Sequence, residues 1–155
     1  MSLTLKTPLG IINNNPGNLR EGFGLTYKTP KSNGFAQFKT MTDGCQSLAA
    51  LVYSYYQFHG LKTIGAFVSR YAPASENDVL AYSNAIADFL RIDRSKIDTY
   101  DLRLTFPWRA FHLIEAIIRV ECGAAPDEIP TAPNWVRIED IVTGMQRSNR
   151  WVGVV

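Results

Sequence analysis

The feature that most constrains the fold is a helical spacing of apolar residues, which begins near residue 42 and recurs along the rest of the chain. In the first segment these residues are three and four positions apart, so they share one face of a helix. They are Cys45, Leu48, Ala49, Val52, Tyr55 and Tyr56. Thr42 or Asp43 is suited to cap this helix, and Gly60 is suited to end it. The spacing predicts a mostly helical protein.

Four more helices follow from the same reasoning. A short one begins after Thr63 and ends before Pro73, which cannot continue a helix. A third begins with Ser75 as its capping residue. A fourth has Pro107 in its first turn and ends at Gly123, the positions that these residues prefer. The fifth is marked by Ile138, Ile141, Val142 and Met145.

Residues 1–41 have a different character, with turn-forming Gly, Pro and Asn residues and the run NNNPGN at residues 13–18. Residues 23–28 and 35–40 are compatible with β-strands, and the residues between them are typical of a hairpin turn. We therefore expect an α+β protein, mostly α-helical, with a short N-terminal β-hairpin. It would be a single domain, with residues 1–41 as a β lobe and residues 42–150 as a helical lobe.

The composition excludes several classes of function. A chain of 155 residues is long enough for one hydrophobic core, and its net charge of +2 gives no case for an electrostatic nucleic-acid binder. Its two cysteines, Cys45 and Cys122, form no zinc-binding pattern, and no cofactor fingerprint is present. No apolar run reaches the ~20 residues of a membrane span, and the N-terminus does not read as a secretory signal. We expect no metal, cofactor, nucleic acid or membrane insertion.

One carboxylate lies where the helical pattern predicts an apolar face. With Ile114 set to zero, Glu121 projects at about −20° on the fourth helix, in the middle of the apolar stripe. The opposite face carries Arg109, His112, Ala116 and Arg119. Burial and the helix macrodipole both favour a protonated Glu121, and a protonated carboxyl is what a general acid requires. The alternative is a carboxylate that reaches solvent at the helix end.

Two other glutamates are weaker candidates. Glu76 follows the Ser75 cap, where the helix dipole alone would favour a negative charge. Glu21 lies in a polar stretch, and nothing in its local pattern perturbs it.

Several short motifs together resemble a group of phage and prophage proteins described as virion structural or lysis-associated. These motifs are NNPGN at residues 14–18, GFAQF at residues 34–38 and RYAPASEND at residues 70–78. The same parts resemble a lysozyme-type lytic transglycosylase whose elements occur in a permuted order. Glu121-Cys122-Gly123 is similar to the helix-terminal Glu-Ser-Gly of that family, with Cys122 in place of Ser. The family's Tyr-Asn pair is absent as such.

The resemblance implies a lysozyme-like fold and a peptidoglycan hydrolase of phage or prophage origin. It would cleave the β-1,4 bond between N-acetylmuramic acid and N-acetylglucosamine, with Glu121 or Glu76 as catalytic residue. The predicted substrate-binding residues are Gln37, Asn18, Tyr71 and Asn77. The partners would be a peptidoglycan glycan strand and other virion proteins, and the location a phage virion, or the bacterial cytoplasm with delivery to the periplasm. The alternative is a non-catalytic virion structural or binding protein that keeps the fold.

Overall fold

The computed structural model describes residues 6–20, 34–148 and 150–151, and these residues are all-α. The helices are α1 (Leu9–Ile12), α2 (Met41–Gln57), α3 (Ile64–Tyr71), α4 (Val79–Leu90), α5 (Pro107–Cys122) and α6 (Ile138–Ser148), and Arg94–Lys96 form a 3₁₀ turn. The prediction of a mostly helical protein is confirmed. None of the described helices is both long enough and apolar enough to cross a membrane.

Helix α5 lies at the centre of the packing and contacts α1, α2, α4 and α6. Its residues Leu113, Ile114, Ile117 and Ile118 are fully buried. Ala116 is also buried, although the helical projection put it on the opposite face, because neighbouring helices cover α5 on more than one side.

Helices α2 and α6 pack closely because Gly144 has no side chain. A Cβ at this position would lie 2.7 Å from the backbone nitrogen of Gln46 on α2. The core contains Leu48, Val52 and Phe67, and Ile114 and Ile118 of α5 are buried in it as well. Phe89 and Phe111 are only partly buried and lie at the edge of the core.

The helix starts differ in detail from those expected. Thr40, rather than Thr42 or Asp43, caps α2 by accepting a hydrogen bond from the backbone N–H of Asp43 (3.1 Å). Helix α3 begins after Thr63 as predicted, and the Thr63 side chain caps it by accepting from the backbone N–H of Ala66. For α4 the expectation of a Ser75 cap is wrong. Asp78 caps this helix, because its carboxylate accepts from the backbone N–H of Ala81 (3.0 Å).

The predicted N-terminal hairpin is not supported, and the α+β class is corrected to all-α for the described residues. Leu9–Ile12 form a helical turn, and residues 35–40 form no strand apart from an isolated antiparallel bridge between Arg20 and Phe35. The physical reason is that backbone groups of residues 36–38 pair with the NNNPGN run instead of a second strand. Residues 23–28 and the turn that follows them lie outside the described residues.

Candidate active site

A cleft of about 550 Å³ opens between the loop after α1, the connection from α3 to α4 and the C-terminal end of α5. Five of the six residues predicted for the site line it: Asn18, Tyr71, Glu76, Asn77 and Glu121. We call it the Glu121 cleft. The structure thus brings together residues that are up to 103 positions apart in the sequence.

The Glu121 carboxylate is held by two uncharged donors. The Asn18 side-chain amide donates to Oε1 (2.8 Å), and the Tyr82 hydroxyl donates to Oε2 (2.7 Å). No lysine or arginine among the described residues forms an ion pair with it. Glu121 is half-buried and its side chain reaches the cleft. The helical projection anticipated the burial but not these two donors, which provide a hydrogen bond to each carboxylate oxygen.

Two tyrosines act as fixed hydrogen-bond donors next to this carboxylate. Burial, followed by the charge of Glu121, raises the pKa of Tyr71 well above its usual value. Burial, followed by the interaction with Tyr71 and then with Glu121, also raises the pKa of Tyr82 far above its usual value. Both hydroxyls therefore remain protonated. The Tyr71 hydroxyl donates a hydrogen bond to the carbonyl oxygen of Gly17. The rings pack edge to face at 6.5 Å, which fixes both hydroxyls relative to α5.

Residues 13–18, which we call the Asn loop, are built mainly for structure. The buried amide of Asn15 donates to the carbonyls of Leu19 and Ala36 (2.9 Å each). Its oxygen accepts from the backbone N–H of Leu19 (2.9 Å). Because this asparagine meets backbone groups on two segments, it stabilises one wall of the Glu121 cleft rather than contacting a ligand.

A close backbone contact fixes the Asn loop against α2. A Cβ at Gly44 would lie only 1.9 Å from the carbonyl oxygen of Asn14, so no other residue fits without displacing the loop. The Asn14 amide also donates to the carbonyls of Phe38 and Lys39 (3.1 and 3.2 Å). These contacts leave Asn18, at the end of the Asn loop, positioned against Glu121.

Glu76 lies in the Glu121 cleft with a different environment. It forms a 2.6 Å ion pair with Arg20, and both side chains are about half exposed (52% and 55%). It precedes the Asp78 cap and so does not occupy the first turn of α4 that the sequence suggested. An exposed ion pair of this kind contributes little to stability.

The remaining predicted residues are less central. Gln37 is half-buried and is not among the described residues that line the Glu121 cleft. Asn77 lines the cleft and its amide contacts the carbonyl of Pro73 at 3.5 Å. Glu21 lies outside the described residues.

Across the described ranges, no three His, Cys, Asp or Glu side chains are grouped in a way that could hold a metal ion.

Sequence reasoning missed Tyr82 and Arg20 as site residues. Tyr82 lies in α4 and is buried there, so it has the character of a core residue. Its hydroxyl, however, meets a carboxylate 39 residues away. No local pattern signals such a pair, although a tyrosine at the edge of a stripe has a polar end that requires a partner.

The amino-acid sequence is similar to that of a phage protein. No protein-family model matches the chain. It is 30% identical over 135 residues to Protein P5 of Pseudoalteromonas phage PM2, a match that covers 81% of this chain and 80% of Protein P5. An alignment that spans most of both proteins indicates a shared origin along nearly the whole chain. The chain therefore belongs to the family of Protein P5 of Pseudoalteromonas phage PM2.

Proposed function

We propose that this protein is a lysozyme-like peptidoglycan-cleaving enzyme of phage or prophage origin that acts as a lytic transglycosylase, with Glu121 as its catalytic acid. The observation that carries the proposal is that Glu121, one of two glutamates in this open cleft, is held by Asn18 and Tyr82 and paired with no cation among the described residues. A carboxyl group held by neutral donors can exchange a proton with a substrate without first breaking a salt bridge.

In the proposed reaction, protonated Glu121 donates its proton to the glycosidic oxygen that leaves C1 of N-acetylmuramic acid. The C6 hydroxyl of the same sugar then attacks C1, forming a 1,6-anhydro ring, and returns its proton to the Glu121 carboxylate. The hydrogen bonds from Asn18 and Tyr82 stabilise the carboxylate between these two proton transfers. One acid is sufficient for this route, because the attacking hydroxyl belongs to the substrate.

The environment of Glu76 favours this route over one with two catalytic carboxylates. Glycosidases with two carboxylates require one to be protonated as the acid and the other to be free as nucleophile or base. Glu76 is ion-paired with Arg20 at 2.6 Å, so one of its carboxylate oxygens is already occupied. Glu76 and Asn77 are better suited to contact a sugar ring along the wall of the Glu121 cleft.

The experiment is cleavage of purified peptidoglycan by the wild-type protein and by Glu121→Gln, Glu76→Gln and Glu139→Gln. Glutamine cannot donate the required proton, so we expect Glu121→Gln to lower the rate by about 10²-fold or more. Glu139 is exposed on α6 and serves as the matched control. Mass spectrometry of the products should detect anhydromuramyl ends, which are one water molecule lighter than hydrolysed ends. Full activity in Glu121→Gln would refute the assignment, and hydrolysed ends would indicate hydrolysis in place of transglycosylation.

A second function is favoured by one specific observation, namely that both oxygens of Glu121 already accept hydrogen bonds from the protein. A glutamate satisfied in this way can join the Asn loop to α4 and α5 as a structural element. The protein would then be a non-catalytic virion structural or binding protein. Folded wild-type protein that binds glycan strands or virion proteins without cleaving peptidoglycan would support this function.

A further inference from the structure

A second cavity, of about 300 Å³, lies beside the first turns of α5 and the C-terminal end of α4. It shares no lining residue with the Glu121 cleft. We call it the α5 cavity. Its charged or titratable lining residues include Arg91, Arg109 and His112, and no Asp or Glu is among the described residues that line it.

Arg109 is the central cation of the α5 cavity. Its Nη1 donates to the Tyr100 hydroxyl (2.8 Å), and its guanidinium lies over the Trp108 ring, 4.5 Å from the centroid. Its Nε is buried and has no hydrogen-bond acceptor among the described residues, and no described carboxylate forms an ion pair with it. Uncharged partners therefore hold a half-buried guanidinium that has no ion pair with any described carboxylate.

The two other basic residues that line the α5 cavity, Arg91 and His112, differ from Arg109 in their environment. Arg91 is exposed at the end of α4. His112 is exposed and its Nδ1 lies 2.8 Å from Glu115, which does not line the α5 cavity. The remaining lining is apolar or aromatic and includes Phe89, Ile92 and Leu102. The α5 cavity thus combines apolar walls with an arginine that forms no ion pair with a described carboxylate.

We propose that the α5 cavity binds a small ligand with an oxyanion, carboxylate or phosphate, attached to an aromatic or apolar body. The planar guanidinium of Arg109 presents donors that match the oxygens of such a group. The apolar walls and Trp108 would cover the body of the ligand, and a volume near 300 Å³ is at the small end of ligand pockets. The proposal is independent of peptidoglycan cleavage, because the two sites have no lining residue in common.

The test measures binding of phenyl phosphate, benzoate, benzyl alcohol and inorganic phosphate by calorimetry. We expect the two aromatic anions to bind and to bind less tightly at high salt, because screening weakens charge pairing. Which of them binds tighter identifies the oxyanion. Equal binding of benzyl alcohol, or of inorganic phosphate and phenyl phosphate, would overturn the proposal.

The variants are Arg109→Gln and, as a matched control on the same helix, Arg119→Gln, which lies outside the α5 cavity. Loss of a charge-assisted hydrogen bond should weaken binding about tenfold or more in Arg109→Gln and leave Arg119→Gln unchanged. If Arg109→Gln does not fold, Arg91→Gln is the second variant, since Arg91 is exposed and contributes charge at the rim. Unchanged binding in whichever of these two variants folds would overturn the proposal.

Discussion

The two ends of α5 each carry a charged side chain held by uncharged partners, and they differ in how completely its hydrogen bonds are made. At the C-terminal end, both oxygens of Glu121 accept a hydrogen bond. At the N-terminal end, Arg109 bonds Tyr100, but its buried Nε has no acceptor among the described residues. The two ends therefore differ in one respect: both oxygens of Glu121 have a hydrogen-bond donor, whereas one donor of Arg109 has no described acceptor.

The helix macrodipole opposes both charges. It disfavours a negative charge in the last turn and a positive charge in the first, which are the positions of Glu121 and Arg109. Arg119, in the last turn, has the favoured sign. Neither Glu121 nor Arg109 therefore gains stability from the dipole of α5.

The largest expected loss of stability comes from the middle of α5, which supports the groups at both ends of the helix. Ile114 lies in the middle of α5 and is fully buried, so Ile114→Ala should lower the free energy of unfolding by about 2–5 kcal/mol. Phe111→Ala should cost less than Ile114→Ala, because Phe111 lies at the edge of the core. Chemical denaturation measures both values. A loss in Phe111→Ala equal to or greater than that in Ile114→Ala would show that the centre of the packing lies elsewhere.

A smaller loss of stability is expected from a change at the C-terminal end of α5. Tyr82→Phe keeps the ring but removes the hydroxyl that donates to Glu121 Oε2. Because hydrogen bonds to charged groups are the stronger ones, we expect a loss of about 1.5–3 kcal/mol in the free energy of unfolding. The control is Tyr53→Phe, whose hydroxyl has no hydrogen bond to another described side chain or backbone group and should change stability little. Equal losses in the two variants would mean that the Tyr82–Glu121 contact does not stabilise the fold.

The smallest expected change in stability concerns Asp101. It lies between Tyr100 and Leu102, which both line the α5 cavity near the N-terminal end of α5. The Tyr56 hydroxyl donates to it at 2.5 Å, which, with the Arg103 backbone N–H, lowers the pKa of Asp101. A carboxyl whose pKa is lower in the folded state stabilises the protein above its unfolded value of ~3.9. That stability is lost as the pH falls from there through the folded pKa.

Thermal unfolding measured between neutral pH and about pH 2 checks this expectation. Tyr56→Phe brings the folded pKa of Asp101 closer to its unfolded value, so its stability should fall less steeply with acidification than that of the wild type. An identical pH dependence in the two proteins would contradict the role of this contact.

The helices were predictable because their signal is local. The apolar spacing of α2 and α5 and the residues that end them lie within a few turns of each other, so α5 was correctly bounded by Pro107 and Gly123. The four-residue α1 carries no such periodicity. The cap of α4 was misplaced because Ser75 and Asp78 are both good capping residues, and only the backbone path after Pro73 decides between them.

The hairpin prediction failed because it depended on partners that a local pattern does not reveal. Residues 35–40 alternate as a strand would, yet the N–H groups of Ala36 and Phe38 donate to the carbonyls of Leu19 and Asn13. Asparagine side chains satisfy carbonyls of the same segment. The Glu121 cleft was partly predictable, since a glutamate on an apolar stripe is conspicuous. The two residues that donate hydrogen bonds to Glu121, Tyr82 and Asn18, lie 39 and 103 residues away in the sequence and were not predictable as its partners.

The Asn loop has a consequence for the order in which the protein is made. Its bonds reach late segments of the chain, with Asn18 meeting Glu121, Pro16 accepting from Cys122, and Asn14 accepting from Asn134, separations of 103, 106 and 120 residues. Contacts of such long range close late, because the intervening chain must first be ordered. During synthesis the Asn loop is made early, whereas Glu121, Cys122 and Asn134 are each added more than a hundred residues after their partners. A growing chain that has not reached residue 121 therefore lacks the Asn18–Glu121 contact of the Glu121 cleft.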